Sequence, residues 1–176
     1  MPTHTVAPTL ITERLVLDAH RLEDFDDLAA MWADPAVVRY IGSTPRDKED
    51  SWGRLLRYIG HWKLLGYGYW AVREKNTGRY IGGIGFADFH RDIQPALDVP
   101  EMGWTLITAA HGKGYATEAL NAALVWAKEN FSQDKVVCII SPDNRPSLGL
   151  AKKVGFVASH RSEYHQLPTV VLYRPL

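Results

Sequence analysis

The stretch from Glu101 to Asn130 constrains the fold more than any other. Glu101 to Thr108 reads as a strand and leads through Ala109-Ala110-His111-Gly112-Lys113-Gly114 into a helical pattern. In that pattern, running from Gly114 to Asn130, Ala116, Ala119, Leu120, Ala123, Leu124 and Ala127 recur on one side. A strand that passes into a helix over two glycines belongs to a layered fold of helices on a sheet. It also leaves a helix start exposed, where unpaired amides and the positive end of the helix dipole favour an anion.

The rest of the chain fits the same layering. Ile11 to Ala19 reads as a first strand, followed by a helix from about Glu23 to Ala33 with Phe25, Leu28, Ala29 and Trp32 on one stripe. Asp34-Pro35 breaks that helix. Asp47 to Leu65 is a second amphipathic helix, stopped at Gly66 and weakened at Gly53 and Gly60 by about 1 kcal/mol each. Tyr67 to Glu74 and Arg79 to Phe89 are strands joined by the turn Lys75-Asn76-Thr77-Gly78. Val136 to Ser141 is a buried strand, Asn144 to Val154 a short helix, and Phe156 to His165 and Thr169 to Arg174 a closing pair of strands. The order β-α-α-β-β-β-α-β-α-β-β predicts a mixed α/β (α+β) domain spanning 1–176, with helices on the faces of a central mixed sheet.

The glycine turn is no familiar nucleotide motif. A dinucleotide fingerprint needs a further glycine where Thr117 stands, and no G-x-x-x-x-G-K-[ST] run occurs. Gly82-Gly83-Ile84-Gly85 lies inside a strand pattern, where a bulge or close packing is expected. With Lys113 between them, Gly112 and Gly114 let the backbone close on an anion.

His111-x-x-Gly114-x-Ala116 resembles the Q/R-x-x-G-x-G/A signature of the GNAT N-acetyltransferases. Gly112-Lys113-Gly114-Tyr115-Ala116-Thr117-Glu118-Ala119-Leu120 is similar to the RimJ/RimL branch of that family. Further similar blocks are Ile11-Thr12-Glu13-Arg14-Leu15, Glu101-Met102-Gly103-Trp104-Thr105-Leu106, Ser141 to Ser147, and Lys153-Val154-Gly155-Phe156. His111 departs from the usual Gln or Arg.

The resemblance implies a mostly antiparallel mixed sheet with helices on both faces. It also implies acetyl-CoA as cosubstrate, no metal, and direct attack of an amine on the thioester. His111, Gly112, Lys113, Gly114, Tyr115, Ala116 and Thr117 would hold the pyrophosphate. The backbone of Trp104, Thr105 and Leu106 would take the thioester oxygen and the pantetheine arm, with Asn144 and Ser147 beside it. Glu101 would receive the amine proton directly or through water, and Ser147 would protonate the leaving thiolate. Each has a plainer reading: Glu101 as a solvated strand-end carboxylate, Asn144 and Ser147 as helix-capping residues. The acceptor would be a protein N-terminus, as the RimJ/RimL resemblance implies, or a small amine such as an antibiotic, polyamine or amino acid. A non-catalytic acyl-CoA-binding module is the contrasting class.

Twenty basic residues balance twenty acidic ones, so neither nucleic acid nor an anionic membrane is an expected partner. The first residues lack a signal-peptide pattern and no apolar run reaches spanning length, so a cytoplasmic protein is expected. The lone Cys138 sits in an apolar run and reads as a buried strand residue. His20, His61, His160 and His165 read as surface or packed residues. Asp88-Phe89-His90-Arg91-Asp92 reads as a wall of the acceptor site rather than a metal cluster. Trp52, Tyr58, Trp62, Tyr67, Tyr69 and Trp70 are mainly core, with one or two expected to line the acceptor cleft. The terminal strands are free to pair between chains, so both monomer and homodimer are open.

Overall fold

The computed structural model describes residues 4–176. Eight strands form one sheet: β1 (Leu10–Ile11), β2 (Leu15–Asp18), β3 (Tyr69–Glu74), β4 (Tyr80–Ala87), β5 (Glu101–Leu106), β6 (Lys135–Ile140), β7 (Val157–Tyr164) and β8 (Leu167–Pro175). Their spatial order is β1-β2-β3-β4-β5-β6-β8-β7, and every neighbouring pair is antiparallel except β5 and β6. Five α-helices are α1 (Phe25–Ala33), α2 (Pro35–Val38), α3 (Lys48–Leu65), α4 (Tyr115–Asn130) and α5 (Arg145–Lys153).

Both faces of the sheet are covered at β3 and β4, which explains the buried run Tyr69 to Val72 and the wholly buried β4. Trp70 and Val72 of β3 enter the larger core with Phe86, Met102, Leu106 and the α4 residues Ala119, Leu120 and Ala123. Tyr69 and Ala71, pointing the other way, pack with Leu28 and Trp32 of α1 and Leu55 and Tyr58 of α3. A third small cluster joins Ile93, Val137 and Val171, and so anchors the loop between β4 and β5 to β6 and β8.

Local chemistry sets the element ends. Asp47 caps α3 by accepting from the Asp50 amide at 2.8 Å, worth about 1 kcal/mol. Gly66 ends α3 in a left-handed conformation, and α3 runs unbroken through Gly53 and Gly60. In the Gly82 to Gly85 stretch, close packing is the decisive feature. A Cβ on Gly82 would lie 2.2 Å from the Thr105 carbonyl oxygen, and one on Gly85 2.2 Å from that of Gly68.

Two expected elements differ. The first strand is two, because Thr12 turns the chain by donating its amide to the Leu15 carbonyl at 3.0 Å, so Ile11 pairs with Val16. Asp34-Pro35 ends α1 as expected but also starts α2, since the Asp34 carboxylate accepts from the Ala36 amide at 2.9 Å. Cys138 is 1% exposed within β6. Trp52 departs from the core expectation: it is 41% exposed and packs edge-on against Phe25.

Candidate active site

The glycine turn leaves the end of β5 with both glycines at positive φ, +72° for Gly112 and +80° for Gly114. Side chains rarely adopt that conformation, so the turn needs glycine for its path. No side chain caps α4, and the first helical bond runs from the Glu118 amide to the Gly114 carbonyl. The amides of Tyr115, Ala116 and Thr117 therefore stand free of the helix ladder, at its positive end. His111 fastens the turn to β5, its Nε2–H donating to the Leu106 carbonyl at 2.9 Å. The Lys113 side chain faces solvent.

Arg14 holds the turn from the opposite side. Its Nε meets Glu118 of α4 at 2.7 Å, its Nη1 donates to the Lys113 carbonyl at 2.9 Å, and its guanidinium covers the Tyr115 ring. The Glu118 carboxylate also accepts from the Thr12 hydroxyl at 2.6 Å and the Arg14 amide at 2.8 Å. Thr12 and Arg14 were legible as a resembling block, but their sequence position carried no hint of this contact.

Beside the turn, β5 and β6 separate. They share one register pair, Glu101 with Val137, whereas β5 stays paired with β4 along its length. The Ile107 amide donates to Ile81, so alternation along the strand turns the Thr105 amide toward β4 as well. The amides of Trp104 and Leu106 face the opening instead. Of the expected backbone trio, Thr105 contributes a side chain to the site rather than an amide.

A cleft of about 460 Å³ opens where the strands part. Glu101, Trp104, Thr105, Asn144 and Ser147 all line it, while Leu106 and the residues from His111 to Thr117 stand outside it. Asn144 is the N-cap of α5, accepting from the Ser147 amide at 3.2 Å. The Ser147 hydroxyl forms no hydrogen bond among the described residues. Trp32, Arg54, Tyr58, Tyr69, Phe89 and Arg91 also line it, most of them far in sequence from the motifs.

Glu101 is no solvated strand end. It is 6% exposed and accepts two hydrogen bonds from Arg91, from Nε at 2.6 Å and from Nη2 at 2.8 Å. Burial alone would lower the Arg91 pKa, but the pair with Glu101 outweighs it and raises it. Of the segment from Asp88 to Asp92, Phe89 and Arg91 line the cleft. Tyr69 stacks on Tyr58 at 4.5 Å and 4°. Burial pushes both phenols above their ordinary range, so at neutral pH they are donors. A Cβ on Gly103 would lie 1.9 Å from the Tyr69 hydroxyl, so glycine there leaves room for the ring. Among the described residues no group of three or more His, Cys, Asp or Glu is arranged to hold a metal, and no helix is long and apolar enough to cross a membrane.

Residues 14–157 match the acetyltransferase (GNAT) domain family. The chain belongs to the GNAT acetyltransferase family. An uncharacterised N-acetyltransferase, p20, of Bacillus licheniformis is 30% identical over 149 residues, 84% of this chain and 82% of p20. An acetyltransferase of Agrobacterium tumefaciens superposes with a TM-score of 0.82 at 29% identity, covering 94% of this chain and 93% of that one. A spermidine N-acetyltransferase of Vibrio cholerae, solved with CoA and spermine, shares the fold at a TM-score of 0.73 and 17% identity, covering 93% and 96%. In this GNAT domain the parted strands and the uncapped α4 start lie side by side; Arg54 in the cleft lining and Arg14 at the turn carried no assignment from the sequence, whereas Arg91 lay within the loop expected as the acceptor wall.

Proposed function

We propose that this GNAT protein is an acetyl-CoA-dependent N-acetyltransferase that acetylates a primary amine by direct attack, and that it lies in the RimJ/RimL-like branch. The carrying observation is one cleft, opened by the parting of β5 and β6, in which Glu101, Trp104, Asn144 and Ser147 meet. The branch reading rests on the Gly112 to Leu120 and Ser141 to Ser147 blocks.

The residues fit the cosubstrate. A turn with two glycines at positive φ and three uncapped amides suits a pyrophosphate, with Arg14 and Lys113 as nearby cations. Acetyl-CoA bound there supplies the acetyl group as a thioester. The Trp104 amide, unpaired toward the opening, donates to the thioester oxygen as charge develops on it. Glu101 keeps lone pairs beyond the two that Arg91 engages, and with these it takes the proton of the incoming ammonium, directly or through one water. The Ser147 hydroxyl, held at the α5 start by the Asn144 cap, donates a proton to the departing thiolate.

The test is thermal unfolding with acetyl-CoA, then thiol release with a broad panel of amines. Saturating acetyl-CoA is expected to raise the midpoint while an adenine dinucleotide does not. No shift would sink the reading. A shift without thiol release from any amine would identify a non-catalytic acyl-CoA-binding module.

A further inference from the structure

Part of the lining of the cleft is built from donors. Trp32 is 3% exposed, and its indole Nε1–H is buried without a hydrogen-bond partner. The Arg54 guanidinium lies 3.6 Å above the Trp32 ring, and its Nε is also buried and unpartnered. Burial raises the Tyr58 pKa, and the nearby Arg54 guanidinium pulls it back. All three line the cleft together with Arg39. Among the described residues no carboxylate lies within 4.0 Å of a guanidinium nitrogen of Arg39, Arg54 or Arg57.

Buried donors left unpaired are costly, about 1–3 kcal/mol each, and are usually found where a ligand or water completes them. The carboxylates of the cleft do not complete these. Glu101 is engaged by Arg91, and the exposed Asp143 stands in the segment between β6 and α5. Arg57 senses the local excess of positive charge: burial lowers its pKa, and Arg54 and Arg91 lower it further. A polyamine would bring more positive charge to this wall. An anion would find the Arg54 guanidinium, which no carboxylate among the described residues engages, beside the Tyr58 phenol.

We propose that the acceptor is an amine that also carries a carboxylate, an amino acid or a close relative, with the carboxylate held by the Arg54 guanidinium and the Tyr58 hydroxyl. The amine then points across the cleft toward Glu101. This rests on the acetyltransferase reading above and names the substrate class of the same site. It sets this protein apart from its structural neighbour solved with spermine.

The experiment compares kcat/KM for the standard amino acids, their decarboxylated amines, the matching aminophosphonates and spermidine. At least one amino acid is expected to exceed its decarboxylated amine and spermidine by roughly tenfold or more. Arg54→Gln is expected to raise KM for that amino acid by a similar factor and collapse the discrimination, with acetyl-CoA affinity unchanged. Arg54→Lys is expected to recover part of it, because a point charge replaces the fork. Equal or better turnover of the decarboxylated amine or of spermidine overturns the proposal, and an aminophosphonate preferred over its amino acid replaces carboxylate with phosphate chemistry. A second measurement needs no turnover: binding of N-acetyl amino acids in the presence of CoA, read by calorimetry in wild type and Arg54→Gln. Binding that is lost in the variant supports the proposal even if the amine panel is silent. Absence of binding by any of them, in a protein that does bind CoA, overturns it and leaves the acetyltransferase reading standing.

Discussion

Replacing Arg91 with Met should unsettle the protein more than a change on an exposed loop ordinarily does. Arg91 and Glu101 form a bidentate pair in which the Arg91 side chain is 21% exposed and that of Glu101 8%. Deleting one partner of a buried pair costs roughly 3–5 kcal/mol, because the other charge is left without compensation. Here the opening around Arg91 admits water to the stranded carboxylate, which favours the lower end, about 3 kcal/mol. For a chain of 176 residues this corresponds to a fall of roughly 6–12 °C in melting midpoint. Urea titration and calorimetry at neutral pH would measure it. The double variant Arg91→Met/Glu101→Gln carries no buried charge at the pair and should recover at least half of the loss. An Arg91→Met protein within about 1 kcal/mol of wild type, or a double variant no more stable than the single, would refute the reasoning. The pair would then be worth no more than an exposed one.

Gly103→Ala should cost about 1–3 kcal/mol and lower acceptor kcat/KM, because its Cβ would lie 1.9 Å from the hydroxyl of a tyrosine held by stacking; acetyl-CoA affinity, read by calorimetry, should hold. Ser147→Ala should lower kcat by roughly 10²-fold or more without weakening acetyl-CoA binding, and an unchanged rate would leave Ser147 as a residue of the helix start. His20 is 6% exposed, with its pKa pushed down to about 4 mainly by burial. Its folded pKa lies below the unfolded value near 6.5, so the unfolded chain binds the extra proton between the two. Stability from this group is complete above about pH 6.5 and is lost as pH falls toward 4, on the order of 3 kcal/mol in all. His20→Gln should flatten that part of the pH–stability curve, and equal slopes for variant and wild type would count against it.

Local pattern carried most of the fold into view. Helical stripes and strand runs depend on neighbours within a few residues, so α1, α3, α4, α5 and the strands β3 to β8 stood close to where periodicity and turn chemistry put them. The split of the first strand did not show, because the turn at Thr12 is made by hydrogen bonds that leave no periodic trace. The helix after Asp34-Pro35 was hidden because the same proline that stops one helix can open the next.

At the site the division is sharper. Gly112 and Gly114 were legible because the backbone path demands that residue type, and Asn144 with Ser147 because a cap is a contact three residues long. By itself, then, the sequence determined the sheet-and-helix layering and the anion-ready helix start, along with the residues that flank the cleft through the motifs. Tertiary structure alone decided that Glu101 is buried against Arg91, that Arg14 grips the glycine turn from 99 residues away, and that Trp32, Arg54 and Tyr58 come together in the lining of the cleft. These contacts join elements distant along the chain, and their energies come from burial and mutual orientation. Neither quantity exists until the sheet has brought the elements together.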